Sequence, residues 1–183
     1  MDTHIRHIAV SIAFVLAASR AVAQHPPMPP GMTHEEHLAQ MRKDAELKKR
    51  GAAAMGFDQD AVSHHFRLSA SGGSIEVTVK DSRDAASLEA IRAHLKEIAG
   101  EFAAGRFDAP FATHGEVPPG VAAMQQRRGD ITYGYEEMPA GGRVAIATTD
   151  REALAAVHEF LRYQIKEHKT GDPVTINPGR HLR

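Results

Sequence analysis

The chain has 183 residues, a formal net charge of −1, 5% aromatic residues, 12 histidines and no cysteine. With no basic stripe and few aromatic side chains it does not read as a nucleic-acid binder. Without cysteine it has neither disulfides nor thiolate chemistry, so any metal falls to His, Met, Asp or Glu.

Met1 to Arg6 carries positive charge, and Ile8 to Ala18 (IAVSIAFVLAA) is an apolar run of signal-peptide length, too short to span a bilayer. Ala21-Val22-Ala23 before Gln24 has the form of a cleavage site. Residues 1–23 are expected to be a signal peptide and the mature protein periplasmic or secreted, clear of the membrane after cleavage. A retained N-terminal anchor is the alternative.

Residues 24–32 (QHPPMPPGM) form a Pro/Met-rich linker with His25, Met28 and Met32. Thr33 then opens a charged helix over 33–54, with Glu36 completing a capping box. His34, Leu38 and Met41 share a face of this helix, and His37 lies one turn before Met41. Imidazole with thioether suits copper; a solvated helix with ordinary methionines explains the same run. The segment Gly51 to Phe57 (GAAAMGF) is expected to break the helix and lead into the globular part.

The alternation Ile75, Val77, Val79 marks a half-buried strand, paired across a turn at Gly72-Gly73 with a strand over His64 to Ser69. Adjacent strand residues point to opposite faces, so only one of His64 and His65 faces inward. Asp84 to Ala104 is a helix with Leu88, Ile91, Leu95, Ile98 and Phe102 on its buried stripe and His94 beside it. Residues 105–130 read as a long connection carrying His114, in which prolines forbid regular structure through much of the length, with a short helical turn over Val121 to Arg128.

The pattern then repeats: a strand over Ile131 to Glu136, a turn over Pro139 to Gly142, a strand over Arg143 to Thr149, and a helix over Arg151 to Lys169 capped by Asp150. Gly141-Gly142 matches Gly72-Gly73, Asp150 matches Asp81, and Leu154, Val157, Leu161 match Leu88, Ile91, Leu95. This predicts an α+β fold built by duplication over residues 55–170. Two strand-strand-helix units give a four-stranded, mainly antiparallel sheet with two helices on one face, after a charged N-terminal helix and before a loosely ordered tail over 171–183.

In the last helix Leu154, His158, Leu161, Ile165 and His168 fall on one stripe. An unpaired buried imidazole costs about 1–3 kcal/mol, so each histidine needs a partner. Either each is a core histidine bonded to a backbone carbonyl, or the stripe meets other histidines and forms a site.

The segments RGAAAMGFDQDAVSHHF, IRAHLKEIAGEF, THGEVPPG and ALAAVHEFLRYQIKEH resemble a family of small exported bacterial proteins over roughly residues 50–170. Some members carry a carbamoyltransferase label, but this chain is short for that activity and shows no phosphate-binding loop. The resemblance singles out Met55, His64, His94, His114, His158 and His168 as recurring positions, and the His/Met-rich tails of such relatives fit metal handling.

The leading expectation is a metal-binding protein, for copper, with those six residues around one site between the two long helices and the 105–130 loop. Whether His25, Met28, Met32, His34, His37 and Met41 join it stays open. One alternative is an enzyme using the same pocket with haem or another transition metal, with Asp108, Glu116 and Glu159 as helpers. Another is a metal-free interaction or pH-sensing module, pairing with a protein partner or a second copy, whose half-buried histidines titrate near pH 6.5.

Overall fold

The computed structural model describes residues 27–176. The expected signal peptide, His25 and the last seven residues lie outside that range. Helix α1 spans His34–Met55, strands β1 and β2 span Val62–Ser69 and Gly72–Val79, and helix α2 spans Ala85–Ala103. Two short helices follow, α3 over Asp108–His114 and α4 over Val121–Gln126, then a 3-10 turn over Arg128–Asp130. Strands β3 and β4 span Ile131–Met138 and Gly141–Thr148, and helix α5 spans Arg151–Glu167.

The four strands form one antiparallel sheet in the order β1-β2-β4-β3, as the α+β reading expects. The second strand of each hairpin therefore lies at the centre, with Ile75 opposite Val144. Glycine at the start of each central strand permits this pairing. A Cβ on Gly72 would stand 2.0 Å from the Ile146 carbonyl oxygen, and one on Gly141 would stand 1.9 Å from that of Val77. The matching glycines of the two sequence repeats thus sit where the two central strands pair.

Each long helix packs mainly on the other repeat's hairpin: α2 lies on β3 and β4, and α5 lies on β1 and β2. Asp84 caps α2 through the Ser87 N–H at 3.0 Å, and Asp150 caps α5 through the Ala153 N–H at 2.8 Å. Asp84, not Asp81, is thus the counterpart of Asp150. The layer between sheet and helices is closed by Ile91, Leu95, Phe102, Val144, Phe160 and Leu161. Burying each such side chain contributes about 1.5–3 kcal/mol. Leu154 is only half-buried, because the inward stripe of α5 runs through Ala153, Val157 and Phe160 instead.

The break expected within Gly51 to Phe57 comes at Gly56, which takes the left-handed conformation at φ 79° after α1 has run through the alanines. Two segments differ from the sequence reading. The 105–130 connection is largely helical, since Pro110 falls in the first turn of α3, where proline is tolerated, and Pro118 and Pro119 lie in the turn before α4. Residues 170–176 lack regular structure but are pinned: Asp172 accepts a bond from the Phe66 N–H at 3.0 Å and lies 3.0 Å from His65 Nδ1. That covers part of the free edge of β1.

Helix α1 buries only Leu47 and Gly51. Polar contacts hold it to the domain. Arg50 donates to the Thr113 and His114 carbonyls at 3.0 and 3.4 Å, Lys43 pairs with Glu167 at 3.0 Å, and Lys169 pairs with Asp44. Among the described residues no helix is long and apolar enough to cross a membrane.

Candidate functional site

Strand alternation puts His64 on the helix side of β1, between Val62 and Phe66, and sends His65 to the opposite side. His94 enters from α2 beside Leu95. His114 is the last residue of α3, where Gly115 at φ 74° turns the chain and Arg50 ties down the final carbonyls. His168 caps α5, its N–H bonded to the Gln164 carbonyl at 3.0 Å. Met55 is the last residue of α1.

These five side chains, from five different elements, border one cavity of about 60 Å³. Its other walls are chiefly apolar: Phe66, Ile75, Leu95, Phe102 and Phe160. The His64 and His168 rings stack with centroids 5.4 Å apart, and His114 meets His168 edge-on at 5.2 Å. His94 stands edge-on to Phe57 at 5.9 Å, and Phe57 stacks on His64 at 6.2 Å.

Burial governs the charge of this cluster. Desolvation holds His64 down to about 4, helped by repulsion from His94, His65 and Lys80. It holds His94 down to about 4 and His168 to about 3, the latter helped by His64 and His114. His114 is also lowered by desolvation, against the pull of Gln164, Glu167 and Glu116. At neutral pH the cluster is therefore a set of uncharged imidazoles with lone pairs available, not a set of groups titrating near 6.5.

Two ring nitrogens of this cluster are buried without a partner, His64 Nε2 and His114 Nδ1. Each such atom costs about 1–3 kcal/mol. In His114 the cause is visible: Nε2 lies 2.8 Å from Gln164 Oε1, and an amide oxygen only accepts, so Nε2 carries the hydrogen and Nδ1 the lone pair. Gln164 is itself 3% exposed, on the α5 face one turn before His168.

His158, the sixth expected site residue, does not line the cavity. Its Nε2 stands 2.9 Å from the Ser69 carbonyl and 3.0 Å from that of Gly72, so it donates to the turn joining β1 and β2. It is the backbone-bonded core histidine of the two readings given above. The carboxylates named as catalytic helpers stay outside as well: Asp108 and Glu159 are exposed, and Glu116 accepts from the Tyr163 hydroxyl at 2.6 Å.

Among the described residues, no three His, Asp or Glu side chains are drawn together in the arrangement of an ion site. The imidazoles share a cavity without converging on one point. Sequence reading missed Gln164 and Phe57; the available signal was a glutamine on an otherwise apolar helix stripe. Comparison of the chain with protein-family models, with curated proteins and with solved structures finds no match.

Proposed function

We propose that this is an exported copper-binding protein that holds Cu(I) in the cavity bordered by Met55, His64, His94, His114 and His168. The observation that carries the reading is the pair of orphaned ring nitrogens, His64 Nε2 and His114 Nδ1, on two residues that border a largely apolar cavity lined by no carboxylate. Uncharged imidazole with a thioether is a soft donor set. It matches a monovalent soft ion better than zinc, which favours four ligands, or calcium, which wants oxygen.

An ion that tolerates low coordination numbers does not need three rings pre-assembled. His64, His168 and His114, already in ring contact, need only turn toward one point, with Met55 alongside. His114 would bind through Nδ1, since Gln164 occupies Nε2. The cavity supports an ion over haem: about 60 Å³ is well under the ~150 Å³ that accommodates one benzene molecule.

The test is competition for Cu(I) against bicinchoninate, with the purified mature protein. One equivalent should transfer to the wild-type protein. The double variant H64A/H168A, with its fold checked by circular dichroism, should take up none, and M55L should bind more weakly. A wild-type protein that leaves all the copper with the chelator overturns the reading.

A further inference from the structure

A second opening, larger than the cavity, runs between α1 and β1. It is a groove of about 750 Å³, and His64 and His168 line it as well as the inner cavity. The stacked pair of rings is therefore the partition between the two spaces. Across the groove from this partition α1 presents Met41. One helical turn earlier on α1, just beyond the groove's lining, stands His37, whose Nε2 is buried without a partner.

The groove's carboxylates are already engaged. Asp44 pairs with Lys169, Asp60 with Lys48, and Glu167 with Lys43. What α1 offers an ion inside the groove is the Met41 thioether, with the His37 imidazole one turn beyond it. A third groove, of about 270 Å³ between α2 and α3, reaches the cavity at His94, but its Glu101 is tied to Arg106 at 2.6 Å and its soft donor is His94 alone.

We propose that the groove between α1 and β1 is the loading port of the cavity, and that Met41 and His37 are the first ligands a copper ion meets, passing it to His168 and His64. The step is ligand exchange. The thioether and imidazole of α1 give up the ion as the buried imidazoles take it, and its oxidation state does not change. This inference rests on the copper reading above.

The test is the rate of Cu(I) uptake from its bicinchoninate complex, followed by stopped-flow absorbance on the full mature chain. The variant M41L/H37Q keeps the size of both side chains on a helix that packs lightly, and circular dichroism checks its fold. Uptake should slow by about tenfold while the final stoichiometry stays at that of the wild type, since an entry ligand changes rate and not occupancy. E97Q/E101Q, at the α2–α3 groove, should load at the wild-type rate.

An unchanged rate in M41L/H37Q overturns the port. So does a lowered final stoichiometry, which would make these residues part of the resting site, or a slowed E97Q/E101Q, which would put the entrance on the other side. Those three results leave the copper reading standing. Absence of uptake by the wild type removes both.

Discussion

Gln164 Oε1 accepts a hydrogen bond from His114 Nε2 at 2.8 Å, in a place where both residues are buried. The glutamine fixes which nitrogen of the ring is left over. Gln164→Leu should free the His114 ring to change tautomer. Copper affinity should drop about 10–100-fold, the usual effect of losing such an outer partner. Competition titration reads the change, and a variant binding as tightly as the wild type would remove the orienting role.

His158 makes the opposite case. Its two bonds to the Ser69 and Gly72 carbonyls tie α5 to the first hairpin. His158→Ala should lower unfolding stability by about 1–3 kcal/mol, as when buried carbonyls lose their donor. Copper stoichiometry should not change. Urea unfolding with a parallel copper titration checks both, and lost binding in a folded variant would return His158 to the site.

Acid should weaken the fold through the cavity. In the unfolded chain these imidazoles take up protons near 6.5; in the folded chain His64 and His94 wait until about 4 and His168 until about 3. Between those limits the unfolded state holds more protons, so stability is full above about pH 6.5 and is lost as pH falls toward 4. A displacement of that size corresponds to about 3 kcal/mol per ring. Urea midpoints measured between about pH 7 and pH 5 without metal should fall steadily; a level profile sinks the argument. Copper uptake at neutral pH should release no proton from these rings.

The central strand pair depends on absent side chains. Gly141→Ala would push a methyl group to 1.9 Å from the Val77 carbonyl oxygen, in a place where backbone must move to relieve it. The loss should exceed about 2 kcal/mol, at the upper end for overpacking. Gly129→Ala, where a Cβ meets open space, is the control and should leave thermal unfolding unchanged.

Much of the architecture was legible because duplication shows in sequence. The paired glycines, the caps and the two apolar stripes predict both hairpins and both long helices. The prolines of 105–130 misled because a proline at a helix start reads the same as a proline in a loop until the following turns are seen. Five of the six residues that the resemblance singled out border one cavity. His158, the sixth, has a different fate. Periodicity says that a ring faces inward, and only the third dimension says whether it meets a carbonyl or another imidazole.

The repeat carries its own comparison. Counted from the hairpin glycines, His64 corresponds to Tyr133; counted from the helix caps, His168 corresponds to Phe102. The Tyr133 and Phe102 rings touch, centroids 5.8 Å apart, as His64 and His168 do at 5.4 Å. One half of the molecule thus fills this junction with a phenol and a phenyl ring, the Tyr133 hydroxyl buried without a partner. The other half sets two imidazoles there, with His64 Nε2 likewise unpartnered. The scaffold tolerates either filling, so two otherwise matching halves differ at this junction in what their rings can donate and accept, and copper binding would be confined to one of them.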